Sequence, residues 1–129
     1  MAAARSGIIT EEMKAVAAKE YRTEEEIRDL VARGQVAICA NKLHKCLDPN
    51  GIGSMLRTKI NVNLGVSRDC KDYDIEMKKV MAAVDMGAEA IMDLSSHGDT
   101  QPFRRKLTAE CPAMIGTVPV YDSVIHYQR

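Results

Sequence analysis

The sequence predicts an α/β fold, with a helical N-terminal region over residues 1–55 and the first three strands of a (β/α)8 barrel, a partial TIM barrel, over residues 56–129. Three observations carry the prediction. Capped helix patterns fill the first part. From Leu56 onward, apolar strand runs alternate with segments of helical period, the mark of a parallel sheet with helical crossovers. Asn63, Met92 and Tyr121 recur at 29-residue intervals. The pattern places each at the C-terminal end of a strand, the rim where βα-barrels gather ligand-contacting side chains.

Each element follows from its local pattern. Thr10, ahead of Glu11 and Glu12, starts a helix that runs to about Lys19, with acids in the first turn where the helix dipole favours them. In "TEEEIRDLVARG", Thr23 and Glu26 stand at capping-box spacing, Ile27, Leu30 and Val31 form an apolar stripe, and Gly34 supplies the stop. "VAICA" is a short apolar run, and "NKLHKCLDPNGIGSM" reads as a turn-rich connection marked by Pro49, Gly51 and Gly53. "RTKINVNLGVS" is the first strand of the second region. Tyr73, Met77, Val80, Met81 and Val84 then fall at helical spacing, closed by Gly87. "AEAIMDLSS" is the second strand, "TQPFRRKLTAE" a helix with Pro102 in its first turn, and "PAMIGTVPVYDS" the third strand.

The first of these strands carries an anomaly. Ile60, Val62 and Leu64 take one face at period two, which leaves Lys59, Asn61 and Asn63 on the other. Helices and strands on both flanks imply cover, so a polar row needs a reason. At a barrel mouth the amides can donate and accept hydrogen bonds to a polar ligand. The alternative is that they satisfy turn backbone. Met92 by itself reads as core packing and Tyr121 after "VPV" as a strand end; the common frame makes these two and Asn63 candidate ligand contacts.

Composition narrows the class of partner. The 129 residues suit one ordinary domain, and 18 basic side chains balance 18 acidic ones without a basic block. With no Trp and a single Phe, stacking platforms for bases are scarce. Neither nucleic acid nor a membrane surface is expected, and charge and aromatics point to a small-molecule or protein partner. The first residues lack the apolar core of a secretory signal, and no apolar run reaches the length of a bilayer span, so a cytoplasmic location is expected. Cys39, Cys46, Cys70 and Cys111 contain no C-x-x-C pair and read as reduced, mainly structural thiols.

Four stretches, "SGIITEEMKAVA", "RTKINVNLG", "AEAIMDLSS" and "IGTVPVYD", in this order and spacing, resemble the N-terminal segment of the phosphomethylpyrimidine synthase (ThiC) family. The resemblance implies a radical S-adenosylmethionine lyase that rearranges aminoimidazole ribotide to the hydroxymethylpyrimidine phosphate of thiamine. S-adenosylmethionine, a 4Fe-4S cluster and a further metal ion are the implied cofactors, and a homodimer the implied assembly. Asn63 in "NVNLG", Met92 in "IMDLS" and Tyr121 in "VPVYD" match the family's substrate contacts. The cluster-binding cysteines and the metal-binding histidines have no counterpart, so no catalytic residue or metal ligand is expected within these residues. His44, His97 and His126 are read as surface or supporting residues.

"NVNLGVSRDCKDYD" and "DLSSHGDTQPFRRKL" depart from the usual "NANIGTS" and "DLSTGG" and are closer to the 5-hydroxybenzimidazole synthase paralogue, which takes the same ribotide to the lower ligand of a cobamide. In "AICANKLHKC", Cys39 and Leu43 stand where Pro and Asn are expected. A segment holding three of eight barrel strands is expected not to catalyse alone, which leaves a non-catalytic fragment or assembly module as the other alternative.

Overall fold

A computed structural model of the chain describes residues 1–127; Gln128 and Arg129, the end of the second predicted region, lie outside the described residues. The chain forms two compact units, one of Met1–Asn41 with Asp48–Lys59, the other of Lys42–Leu47 with the residues from Ile60 onward. Among the described residues no helix is long and apolar enough to cross a membrane.

The first unit contains α1 (Ala2–Arg5), α2 (Glu11–Glu20), α3 (Glu24–Ala32), β1 (Val36–Ile38) and β2 (Gly51–Gly53). Thr10 caps α2 by accepting the Met13 N–H, and Thr23 with Glu26 forms both bonds of the capping box on α3. Val16, Ile27, Val31 and Val36 are buried together. The region is not wholly helical, because "VAICA" pairs antiparallel with β2, which lies inside the stretch expected to be a connection. Its glycines mark close packing. A Cβ on Gly51 would lie 2.7 Å from Leu56 Cδ1 and 2.8 Å from Val16 Cγ1.

A buried ion pair fastens the end of this unit. The side chains of Lys59 and Glu20 are only 6% and 2% exposed and are in direct contact. The Arg57 N–H donates to the same carboxylate at 2.9 Å. Burial works against the charge of Glu20, but Lys59 and the Arg57 N–H outweigh it and hold the carboxyl below the ordinary glutamate value.

In the second unit strands and helices alternate strictly: β3 (Asn61–Leu64), α4 (Tyr73–Asp85), β4 (Ala90–Asp93), α5 (Gln101–Glu110), β5 (Met114–Thr117) and α6 (Pro119–Tyr127). The strands form one parallel sheet in the order β3-β4-β5. Val62, Ile91 and Ile115 lie in register and pack with Met77 and Val80 of α4 and Phe103 and Leu107 of α5. The next residues along, Asn63, Met92 and Gly116, are also in register. They therefore share the opposite face of the sheet.

The third strand differs from expectation. It ends at Thr117, and Pro119 opens α6, so Tyr121 stands in the first turn of a helix. Proline with its fixed φ suits the first helical position and cannot donate to a strand ladder. The residue in register with Met92 is Gly116. The equal spacing from Asn63 to Met92 to Tyr121 thus reflects strand register in its first step only.

Backbone contacts beyond the strands hold the rim together. The Leu94 N–H donates to the Leu64 carbonyl at 2.7 Å and the Ser96 N–H to the Val66 carbonyl at 3.0 Å. Between them, the Val66 N–H donates to Ser95 Oγ at 3.1 Å, and the Gly65 N–H to buried Glu76 at 2.9 Å. Gly65 has φ +141°, and a Cβ there would lie 2.5 Å from the Ser95 nitrogen. Only glycine permits this approach.

Gly65→Ala is accordingly expected to cost on the order of 3 kcal/mol, combining a strained φ with a backbone clash. A urea midpoint equal to that of the parent would contradict the packing described. Glu20→Gln, which leaves buried Lys59 without its carboxylate, is expected to cost about 3 kcal/mol at neutral pH. Because the folded pKa of Glu20 lies below the unfolded one, its contribution is complete above the ordinary value of 4.5 and is lost as pH falls through the folded value. Denaturation curves of parent and variant should therefore converge in acid, and a gap that does not change with pH would show that the pair is not the source.

Candidate functional site

The candidate site is the row Asn63, Met92 and Gly116 with α6 beyond it. Asn61 and Asn63 are exposed, and Asn61 Nδ2 donates to Asn63 Oδ1 at 2.9 Å. Asn63 lies within β3, and its side-chain oxygen accepts from the Asn61 side chain. That bond uses one of the two lone pairs on the Asn63 amide oxygen, and the amide nitrogen carries two further protons that can donate. Met92 is half-buried beside it, and Tyr121, 38% exposed, follows β5 on α6. All three stand at or past the C-terminal ends of parallel strands, hence on one edge of the sheet. The register joins Asn63 to Met92 directly, whereas Tyr121 reaches this edge through the short turn after Thr117.

A charged cluster ties that turn to the sheet. Asp93, next to Met92 and fully buried, accepts from Arg104 Nε at 2.8 Å and from the Ser95 N–H at 2.9 Å. The same guanidinium binds Asp122 through Nη1, and Thr100 Oγ1 donates to Asp122 at 2.9 Å. Arg104 lowers the Asp122 pKa against an opposing contribution from burial, and Thr100 adds to the lowering. Arg104 thereby links the residue after Met92 to the residue after Tyr121. Tyr73 stacks on Phe103 at 5.1 Å and donates its hydroxyl to the Asp99 carbonyl at 2.9 Å, fixing the loop after β4. Burial, then Asp93 and Asp99, raise the pKa of Tyr73.

These supporting residues escaped the sequence reading. A signal existed for Asp93, which falls at the same strand parity as Ile91 and so belongs to the helix-facing, apolar side. A buried carboxylate there requires a cation. Nothing local identified Arg104 among its charged neighbours Arg105 and Lys106.

The histidines separate. His44 is buried at 8% exposure, with Nε2 on the Cys111 carbonyl, so the surface reading fails for it. Cys46 Sγ donates to the same carbonyl at 3.2 Å. His97 is half-buried, and His126 is exposed on α6. Cys39 and Cys70 are exposed, Cys46 is half-buried and Cys111 buried. Among the described residues no group of three or more His, Cys, Asp or Glu side chains is arranged to hold a metal ion. The described residues do not fit an iron-sulfur cluster or a metal ion.

Comparison with known proteins agrees with this arrangement of motifs. The profile of the Radical SAM ThiC family matches residues 1–129. Phosphomethylpyrimidine synthase of Alkaliphilus oremlandii is 60% identical over 129 residues, covering 100% of this chain and 30% of that protein. The proteins of the same name from Clostridium botulinum (strain Hall) and Clostridioides difficile are each 57% identical over 129 residues, again covering 100% of this chain and 30% of the relative. The chain thus spans 30% of the length of these curated relatives, and over all of its own length it belongs to the Radical SAM ThiC family.

Proposed function

We propose that the chain is the N-terminal part of a phosphomethylpyrimidine synthase, and that Asn63, Met92 and Tyr121 bind aminoimidazole ribotide on its way to the hydroxymethylpyrimidine phosphate of thiamine. The observation that carries this reading is the register of Asn63 with Met92 on the sheet face away from α4 and α5. The identity of 57–60% to relatives of that name supports it. The three βα units are read as the opening of a (β/α)8 barrel, with the asparagine row on its inner face. The partner-dependent features, a homodimer among them, belong to the full-length enzyme.

The residues present have binding roles. Asn63 offers amide protons to a phosphate or hydroxyl oxygen of the ribotide, with its orientation held by Asn61. Met92 supplies an adaptable apolar wall, and Tyr121 a hydroxyl on an exposed ring. In the full-length enzyme, S-adenosylmethionine, a 4Fe-4S cluster and the further metal ion would be held by other parts of the chain and would supply the radical chemistry of a carbon-carbon lyase. The product is read as the thiamine pyrimidine because the relatives compared carry that name; a product assay yielding 5-hydroxybenzimidazole would replace that reading with the paralogue.

Ribotide binding to the full-length enzyme tests the site. Asn63→Ala is expected to weaken binding by about 1–3 kcal/mol, or roughly tenfold to a hundredfold, by leaving ligand groups unpaired. Asn63→Asp should be worse than Ala. Its carboxylate still accepts from Asn61, but it donates nothing and places a negative charge against a phosphorylated ligand. An Asp variant that binds like the parent removes Asn63 from the site.

A further inference from the structure

We infer that Gly116 is a positioning residue for Met92, setting where the methionine lies on the ligand-facing row and so the room left above Asn63. This inference rests on the reading of the row as the ribotide site. Asn63, Met92 and Gly116 occupy one register across β3, β4 and β5 and share one face. A Cβ placed on Gly116 would lie 2.7 Å from Met92 Cε and 2.9 Å from Met92 Sδ. Carbon atoms in good contact stand about 3.5–4.0 Å apart. The thioether therefore lies across β5, in the space that the missing side chain provides.

The glycine is not required by its backbone, since Gly116 is not among the residues with positive φ. What it would clash with is the free end of an unbranched side chain. Alanine at 116 therefore leaves the strand intact and displaces the end of Met92 instead, off β5 and into the space over the row. Contrast Gly65, where the obstructing atoms are backbone and cannot yield. One glycine holds two loops together; the other decides the shape of the surface beside Asn63.

The test uses the full-length enzyme in four forms: parent, Gly116→Ala, Met92→Ala, and the double variant. Two readouts are taken, ribotide affinity and the methyl resonance of Met92, assigned by its loss in Met92→Ala. Gly116→Ala is expected to move that resonance and to weaken ribotide binding roughly tenfold to a hundredfold. In the Met92→Ala background the same change should cost nothing further, because the obstructed atoms are gone. An unmoved Met92 resonance, or losses that simply add in the double variant, overturns the inference. A parent enzyme that does not bind ribotide, with the resonance still displaced by Gly116→Ala, instead refutes the ribotide site and leaves the control of Met92 by Gly116 standing.

Discussion

The common register of β3, β4 and β5 is the constraint on which the rest of the second unit depends. Side chains alternate between faces, so a slip of a single residue in any strand would send Asn63 or Met92 toward the helices and Val62 or Ile91 away from them. The apolar row Val62, Ile91 and Ile115 resists such a slip because it is packed against α4 and α5. The polar row is thus placed by burial of the row beside it. Asn63 need contribute nothing to stability to be held accurately.

Charge completes what packing begins. Asp93 and Glu76, both buried, spend their carboxylates on the loops at the strand ends: Asp93 on the Ser95 N–H and Arg104, Glu76 on the Gly65 N–H and Lys79. Buried ionised groups are costly unless paired and hydrogen-bonded. These are, and the pairs restrain the segments that follow Asn63 and Met92. Arg104 extends the same restraint to Asp122, adjacent to Tyr121. Rigid strands and fastened loops are what a site needs if its contacts are to be preorganised.

Much of this was legible in the sequence wherever a rule is local. The caps at Thr10 and Thr23, the helix stripe of Met77 and Val80, and the alternation of strands with helices all rest on neighbours within a turn or two. The polar face of "RTKINVNLGVS" was visible because period two exposes any exception. What failed were features set by distant chain. Gly51 and Gly53 signalled a turn, yet they serve a strand pressed against Val16, Leu56 and Gln35. "TVPVYD" carried strand-forming valines, but Pro119 and the tie from Asp122 to Arg104 turn it into the start of α6. His44 gave no sign of burial, because its partner is the backbone of Cys111.

The central claim is that the sheet face bearing Asn63 and Met92 is where the ribotide lies. A crystal structure of the full-length enzyme with aminoimidazole ribotide bound tests it most directly. The account predicts a ligand oxygen within hydrogen-bond distance of Asn63 Nδ2, the Met92 thioether in contact with the ligand, and the Tyr121 ring beside it. A ribotide bound among the α4 and α5 side chains, or at the N-terminal ends of the strands, would contradict it.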